Sequence, residues 1–174
     1  MNETTINKLE TSGIITLDLL SCKPNDDEVI SFDIVPYLQD EYLLQEKPFR
    51  TAMTATDWSQ FKNKAVVIYC SNDALVPHWA YILICSLLAP HASVVIYGST
   101  QNHYHLVWQH KIREIDYSIY LDKKVVLRTG MGVLPEMYVT AANNLMNYVQ
   151  TLMYGEAGSS VMIYKRKNNP KNEK

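Results

Sequence analysis

No stretch of this sequence is long and apolar enough to span a bilayer as a single helix. The longest apolar run, residues 80–89, has about half of the ~20 residues that a span needs. Basic charge is not in excess either: 16 Lys and Arg stand against 18 Asp and Glu, for a net charge of -2 and a pI near 6.2. A chain so balanced offers no electrostatic footprint for nucleic acid or an anionic membrane, and neither partner is expected. The opening residues, MNETTINKLE, carry no basic segment followed by an apolar one, so a cytoplasmic protein is expected. Cysteine is scarce as well. Cys22, Cys70 and Cys85 are odd in number and lack CxxC spacing, which argues against a disulfide framework and a four-thiolate zinc site. His103 and His105 sit at alternate positions of a predicted helix and face apart, so no metal is expected there. Neither GxGxxG nor GxxxxGK[ST] occurs, nor a serine nucleophile elbow, so there is no nucleotide signature and the identity of any cofactor is left open.

What the chain does have is apolar content, 47% of 174 residues, enough for a real core in one domain over residues 1–166, with a disordered, polar and basic tail expected at 167–174. Two early strands are predicted at 13–19 and 29–34, with Lys23-Pro24-Asn25-Asp26-Asp27 between them as the turn of an N-terminal hairpin. Residues 36–64 mix short apolar stretches with charge, and a helical turn is expected near Asp57-Trp58. From Ala65 the grammar is cleaner. AVVIYC is a β-branched run, residues 77–88 form an apolar helix, and SVVIYG is a second such run, a βαβ unit over 65–98. An amphipathic helix at 102–115 precedes a second unit over 124–154: the strand KVVLRT, a helix from Pro135 to Val149, and the strand TLMY.

The two units align with an offset of 59 at Val66/Val125, 58 at Pro77/Pro135, and 57 at Tyr97/Tyr154 and Gly98/Gly155, which reads as an internal repeat. Strands apolar at nearly every position belong to parallel sheets covered on both faces. The loop 155–159 is short enough only for an antiparallel return to the strand 160–165. The fold class expected is therefore α/β: a three-layer αβα, mostly parallel, doubly wound Rossmann-like sheet with an antiparallel C-terminal edge strand and the N-terminal hairpin.

Such sheets bind ligands beyond the carboxyl ends of their strands. With the strand at Ala65 beside the strand at Lys124, the loops after them would face each other across a crevice. Cys70, Asp73 and Glu156 are the candidate catalytic groups. Ser71, Asn72, Gly130, Gly132, Ser159, Ser160 and Lys165 are the candidate ligand-binding groups, Lys165 lying near Glu156. Both helices start at proline, after Val76 and Leu134, which cannot cap them, so two helix N-termini would offer free N–H groups to an anion. Cys70, near such an N-terminus, could ionise and act as a nucleophile with a histidine partner; a packed, inert thiol is the rival reading. Turn and capping chemistry alone also accounts for the polar loops.

The stretches SGIITLDL, EKPFR, DWSQFKNKAVVIYCSNDALVPHWAY and LMYGEAGSSVMIYKRK, which together cover nearly the whole chain, resemble a bacterial family of the Bacteroidetes type catalogued as domain of unknown function 2480. The resemblance implies a single cytoplasmic domain and no particular activity. Where that family's pattern has a cysteine after tyrosine-glycine-glutamate, this chain has Gly158 or Ser159, which argues against a two-thiol mechanism. Two functional readings follow: a protein that takes a small molecule or anion at the strand ends, enzymatic or not, or a noncatalytic interaction protein, such as a homodimer, with no ligand.

Overall fold

The computed structural model describes residues 13–72, 74–99 and 102–167. They build a mixed α/β protein with two mostly parallel sheets, consistent with the three-layer αβα class. The chain divides into two compact units: residues up to Lys23 together with those from Gln109 onward, and Pro24–Trp108 between them.

The inserted unit carries strands β2 (Val29–Asp33), β3 (Ala65–Tyr69) and β4 (Val94–Tyr97), helices α1 (Glu46–Ala55) and α2 (His78–Leu88), and a 3-10 turn at Trp58–Phe61. Its sheet order is β2-β3-β4, parallel throughout. The two-residue period of a strand explains why β3 is apolar at every position. Val66 and Ile68 point to a cluster containing Phe49 and Met53 of α1 and Ala80, Ile84 and Leu88 of α2. Ala65 and Val67 point the other way, to Val107 and Leu106. Helices thus cover both faces. Burial of each such aliphatic side chain stabilises by about 1.5–3 kcal/mol. Around Phe32 the rings of Tyr37 and Trp58 stack at 5.4 Å, and Trp58 donates its indole N–H to Met53 O at 2.8 Å. Sequence patterning did not resolve α1, whose buried face is only Phe49 and Met53, one turn apart.

The flanking unit contains β1 (Ile14–Leu17), β5 (Lys124–Arg128), β6 (Thr151–Gly155) and β7 (Val161–Lys165), with helix α4 (Pro135–Leu145) and a 3-10 turn at Tyr117–Tyr120. Helix α3 (His103–Arg113) contains the boundary between the units. The sheet order is β1-β5-β6-β7, parallel except for the expected antiparallel β6–β7 pair. Val125, Val126 and Leu127 are buried, as are Met137, Ala141 and Leu145 on α4. Tyr117 donates its hydroxyl to Ile112 O at 2.7 Å.

Three expectations need correction. β1 and β2 do not form a hairpin: β1 pairs parallel with β5, and β2 parallel with β3. The segment between them is spent on 3-10 turns at Leu19–Cys22 and Asp26–Glu28, the first capped by Asp18. Nor does the strand at Ala65 lie beside the strand at Lys124. Each is an inner strand of its own sheet with both hydrogen-bonding edges taken, β3 by β2 and β4, and β5 by β1 and β6. Finally, α2 begins at His78 with Pro77 as its N-cap, whereas Pro135 is the first residue of α4.

Candidate functional site

The strand ends of each unit form a separate group of candidate residues. In the flanking unit, Asp18 follows β1, Arg128 ends β5, and Glu156 follows Gly155 at the end of β6. Parallel pairing at matched register brings these three side chains together. Arg128 Nη1 lies 3.3 Å from Asp18 Oδ2, and its Nε lies 3.2 Å from Glu156 Oε2. The Thr129 hydroxyl donates to Glu156 Oε1. That bond first, and the Arg128 guanidinium with it, hold the Glu156 carboxyl below the usual carboxylate range. One guanidinium thus faces two carboxylates, and all three are substantially exposed.

Tyr138 of α4 ties the loop after β5 to this group. Its hydroxyl accepts from Gly130 N–H at 2.9 Å and donates to Arg128 O at 3.3 Å. Burial, chiefly, pushes that hydroxyl's pKa up. A side chain at Gly130 would stand 2.7 Å from Val133 Cγ2 and 3.3 Å from Leu20 Cδ1, so any residue larger than glycine would have to displace these side chains. Gly155 has φ +134°, and a Cβ there would come within 3.0 Å of the Ser160 backbone; this glycine turns Glu156 toward Arg128. Beside these polar groups opens an apolar cavity of about 530 Å³, bounded by Val133, Pro135, Tyr138, Val139, Tyr154 and Ile163.

No side-chain contact joins the remaining candidates of this unit to Arg128 among the interactions described. Gly132 has φ +82° with open space around it. Ser159 donates its N–H to Glu156 O at 3.0 Å, and Ser160 contacts Met153 Sδ at 3.7 Å, both within the β6–β7 turn. Lys165 is not near Glu156. Antiparallel return of β7 sets it opposite Thr151 at the start of β6, roughly 16 Å of strand from Glu156 at ~3.3 Å per residue.

In the inserted unit, Cys70 follows β3 half-buried, and its thiol donates to Asn72 Oδ1 at 3.2 Å. The same oxygen accepts from Ala74 N–H at 2.9 Å, while Asn72 Nδ2 donates to Glu41 O. Ser71 N–H donates to Asp33 Oδ1 at 3.1 Å. Asp73 lies outside the described residues. The thiol's hydrogen-bond partner is therefore a side-chain amide oxygen. A cavity of about 810 Å³ opens nearby, bounded by Leu75, Pro77, His78, Tyr81, Ile82 and Tyr97. Burial first, with Tyr97 and Cys70 adding to it, pushes the Tyr81 hydroxyl up to about 12.

Neither α2 nor α4 has a side chain capping its N-terminus. Among the described residues, no group of three or more His, Cys, Asp or Glu is placed to hold a metal ion, and no helix is long and apolar enough to cross a membrane. Sequence reasoning missed Asp18, Arg128, Tyr81 and Tyr138. A signal for the tyrosines existed, since Tyr81 and Tyr138 share the 57-residue offset of Tyr97 and Tyr154.

The family described as "Protein of unknown function (DUF2480)" matches residues 3–166. No curated protein and no solved structure matches the chain.

Proposed function

We propose that this chain, which belongs to the DUF2480 family, binds a small molecule at the strand ends of its flanking unit, with the apolar part in the cavity beside α4 and a polar head at Arg128 and Glu156. The observation that carries this is the juxtaposition of an apolar cavity with a convergent polar group, bridged by Tyr138, at the carboxyl ends of β1, β5 and β6. Charge selects the head. Two carboxylates around one guanidinium leave a net charge of about −1, which favours a neutral or cationic donor over a free anion. No step of bond making is assigned to these groups.

The test is an amide chemical-shift titration of the full chain with benzamide, benzamidine and benzoate. Shifts should concentrate at Gly130, Val139 and Tyr154, follow benzamidine over benzoate, and vanish in Val139→Arg. An unmoved set of amides, or a preference for benzoate, rejects the proposal.

A second reading rests on a different observation. Strand β7 has β6 on one side only, and Val161, Met162 and Ile163 are 65%, 60% and 62% exposed. Neighbouring apolar residues exposed along an edge strand favour association with another chain. Its test is the molar mass by light scattering: a dimer that Met162→Glu dissociates supports this reading, and a monomer at all concentrations removes it.

A further inference from the structure

Correspondence between the units extends well beyond the segments whose sequences align. The 3-10 turns at Trp58–Phe61 and Tyr117–Tyr120 start 59 residues apart. Each is capped by an aspartate, Asp57 or Asp116, whose Oδ1 accepts from the N–H and hydroxyl of the serine two residues on, at 2.9 and 2.6 Å in one unit and 3.0 and 2.6 Å in the other. Trp58 and Tyr117 each donate to the carbonyl five residues back. Asp18 and Asp33, each just after the first strand or at its end, accept from the N–H two residues on. Helices α2 and α4 are both eleven residues long, start 57 residues apart, and bury the same face: Ala80, Ile84 and Leu88 against Met137, Ala141 and Leu145.

At that spacing lies one further match. Tyr81 meets Tyr97 edge-on, with centroids 5.4 Å apart and planes at 86°; Tyr138 meets Tyr154 at 5.4 Å and 87°. Each pair borders a cavity, with Ile82 and Val139 as equivalent exposed rim residues. We infer that the inserted unit holds a second small-molecule site, equivalent in position to the first, that takes a neutral ring-bearing ligand. Its ligand class rests on the proposed function above.

Three features set that class. In each pair the edge contact fixes the inner tyrosine, and the outer ring is left open, Tyr97 being 70% and Tyr154 41% exposed, so that an aromatic face is available for an offset-stacked planar ring. Leu75 at 92% and Ile82 at 68% exposed add uncovered apolar surface to the rim of the second cavity. The Arg128–Glu156 ion pair, in contrast, has no counterpart, although Asp33, in the place of Asp18, keeps its carboxylate. At the positions corresponding to Arg128 and Thr129 stand Tyr69 and Cys70, and Asp33 Oδ1 is taken by the N–H groups of Val35 and Ser71. Among the described residues bordering the cavity, none carries a carboxylate, an ammonium or a guanidinium. The two sites therefore share a shape and differ in head-group preference.

The experiment uses the full chain at pH 8 and two probes, benzamide and benzamidine, followed by amide chemical shifts. Ile82→Arg fills the second cavity and Val139→Arg the first; both positions are solvent-facing, and Leu75→Lys is the alternate block of the second cavity if Ile82→Arg lowers the melting temperature. Benzamide should move two separate sets of amides, one around Leu75, Ile82 and Tyr97 and one around Val133, Val139 and Tyr154, each silenced only by its own variant. Benzamidine should be favoured roughly fivefold over benzamide at the first site and equally bound at the second. Shifts confined to the first set overturn the second site and leave the proposed function standing. Shifts confined to the second set do the reverse, and shifts in neither reject both.

Discussion

Tyr138→Phe isolates what one hydroxyl does for the site, because the ring that bounds the cavity remains and only the oxygen is lost. That oxygen accepts from Gly130 N–H at 2.9 Å and donates to Arg128 O at 3.3 Å. A net hydrogen bond contributes about 0.5–1.5 kcal/mol, and the second of these two is long. Tyr138 is also partly open, so water replaces some of what is removed. The expected loss is about 1 kcal/mol, a fall of roughly 2–4 °C in melting temperature for a chain of this length. The sharper assay is local. Gly130 N–H loses its acceptor, and its hydrogen exchange should quicken about fivefold, with amides at the centre of β5 changing only as far as global stability falls. Unchanged protection at Gly130 would refute the assigned tie between α4 and the loop after β5. A loss above about 3 kcal/mol would show that the ring itself had moved, since the hydroxyl cannot account for it.

Further outcomes test other parts of the structure. Gly98→Ala should cost about 1–3 kcal/mol by urea unfolding, since its Cβ would stand 2.7 Å from Val67 Cγ1 and 2.8 Å from Leu106 Cδ1 in a filled core; a neutral result would mean that those side chains repack freely. Tyr117→Phe leaves Ile112 O without its buried donor and should lower stability by about 1–2 kcal/mol, and a stabilised variant would contradict that bond. Tyr81 keeps its proton to about pH 12 when folded, against about 10 when unfolded, so its contribution is complete below about pH 10 and is lost as the pH rises from there toward 12. In Tyr81→Phe the fall in melting temperature between about pH 9 and about pH 11.5 should shrink, and an unaltered fall would reject the raised pKa. Cys70, its thiol donating to Asn72, should react with iodoacetamide no faster than in the unfolded chain at neutral pH; faster reaction would restore it as a nucleophile.

The elements after Ala65 were legible because patterning and propensity agree there. β-branched runs apolar on both faces make inner parallel strands, and helices α2 and α4 follow them with uncapped, proline-bearing starts. Helix α1 was obscured because only Phe49 and Met53 of its ten residues are buried. Asp18 carried no signal at all. Its partner Arg128 is 110 residues away in the chain, and only the parallel pairing of β1 with β5 makes them neighbours.

Composition, period and turn chemistry determined what each segment would become, because those depend on residues within a few positions of one another: strands at β3 to β7, helices between them, and the antiparallel return after Gly155. Which strand pairs with which was decided only by tertiary structure. Parallel partners are joined by long connections, so several pairings satisfy the same apolar pattern, and the hairpin and the shared sheet were among those that lost. The site followed the pairing: register brought Asp18, Arg128 and Glu156 together, antiparallel return took Lys165 to the far end of β6, and the packing of α4 set Tyr138 against Gly130.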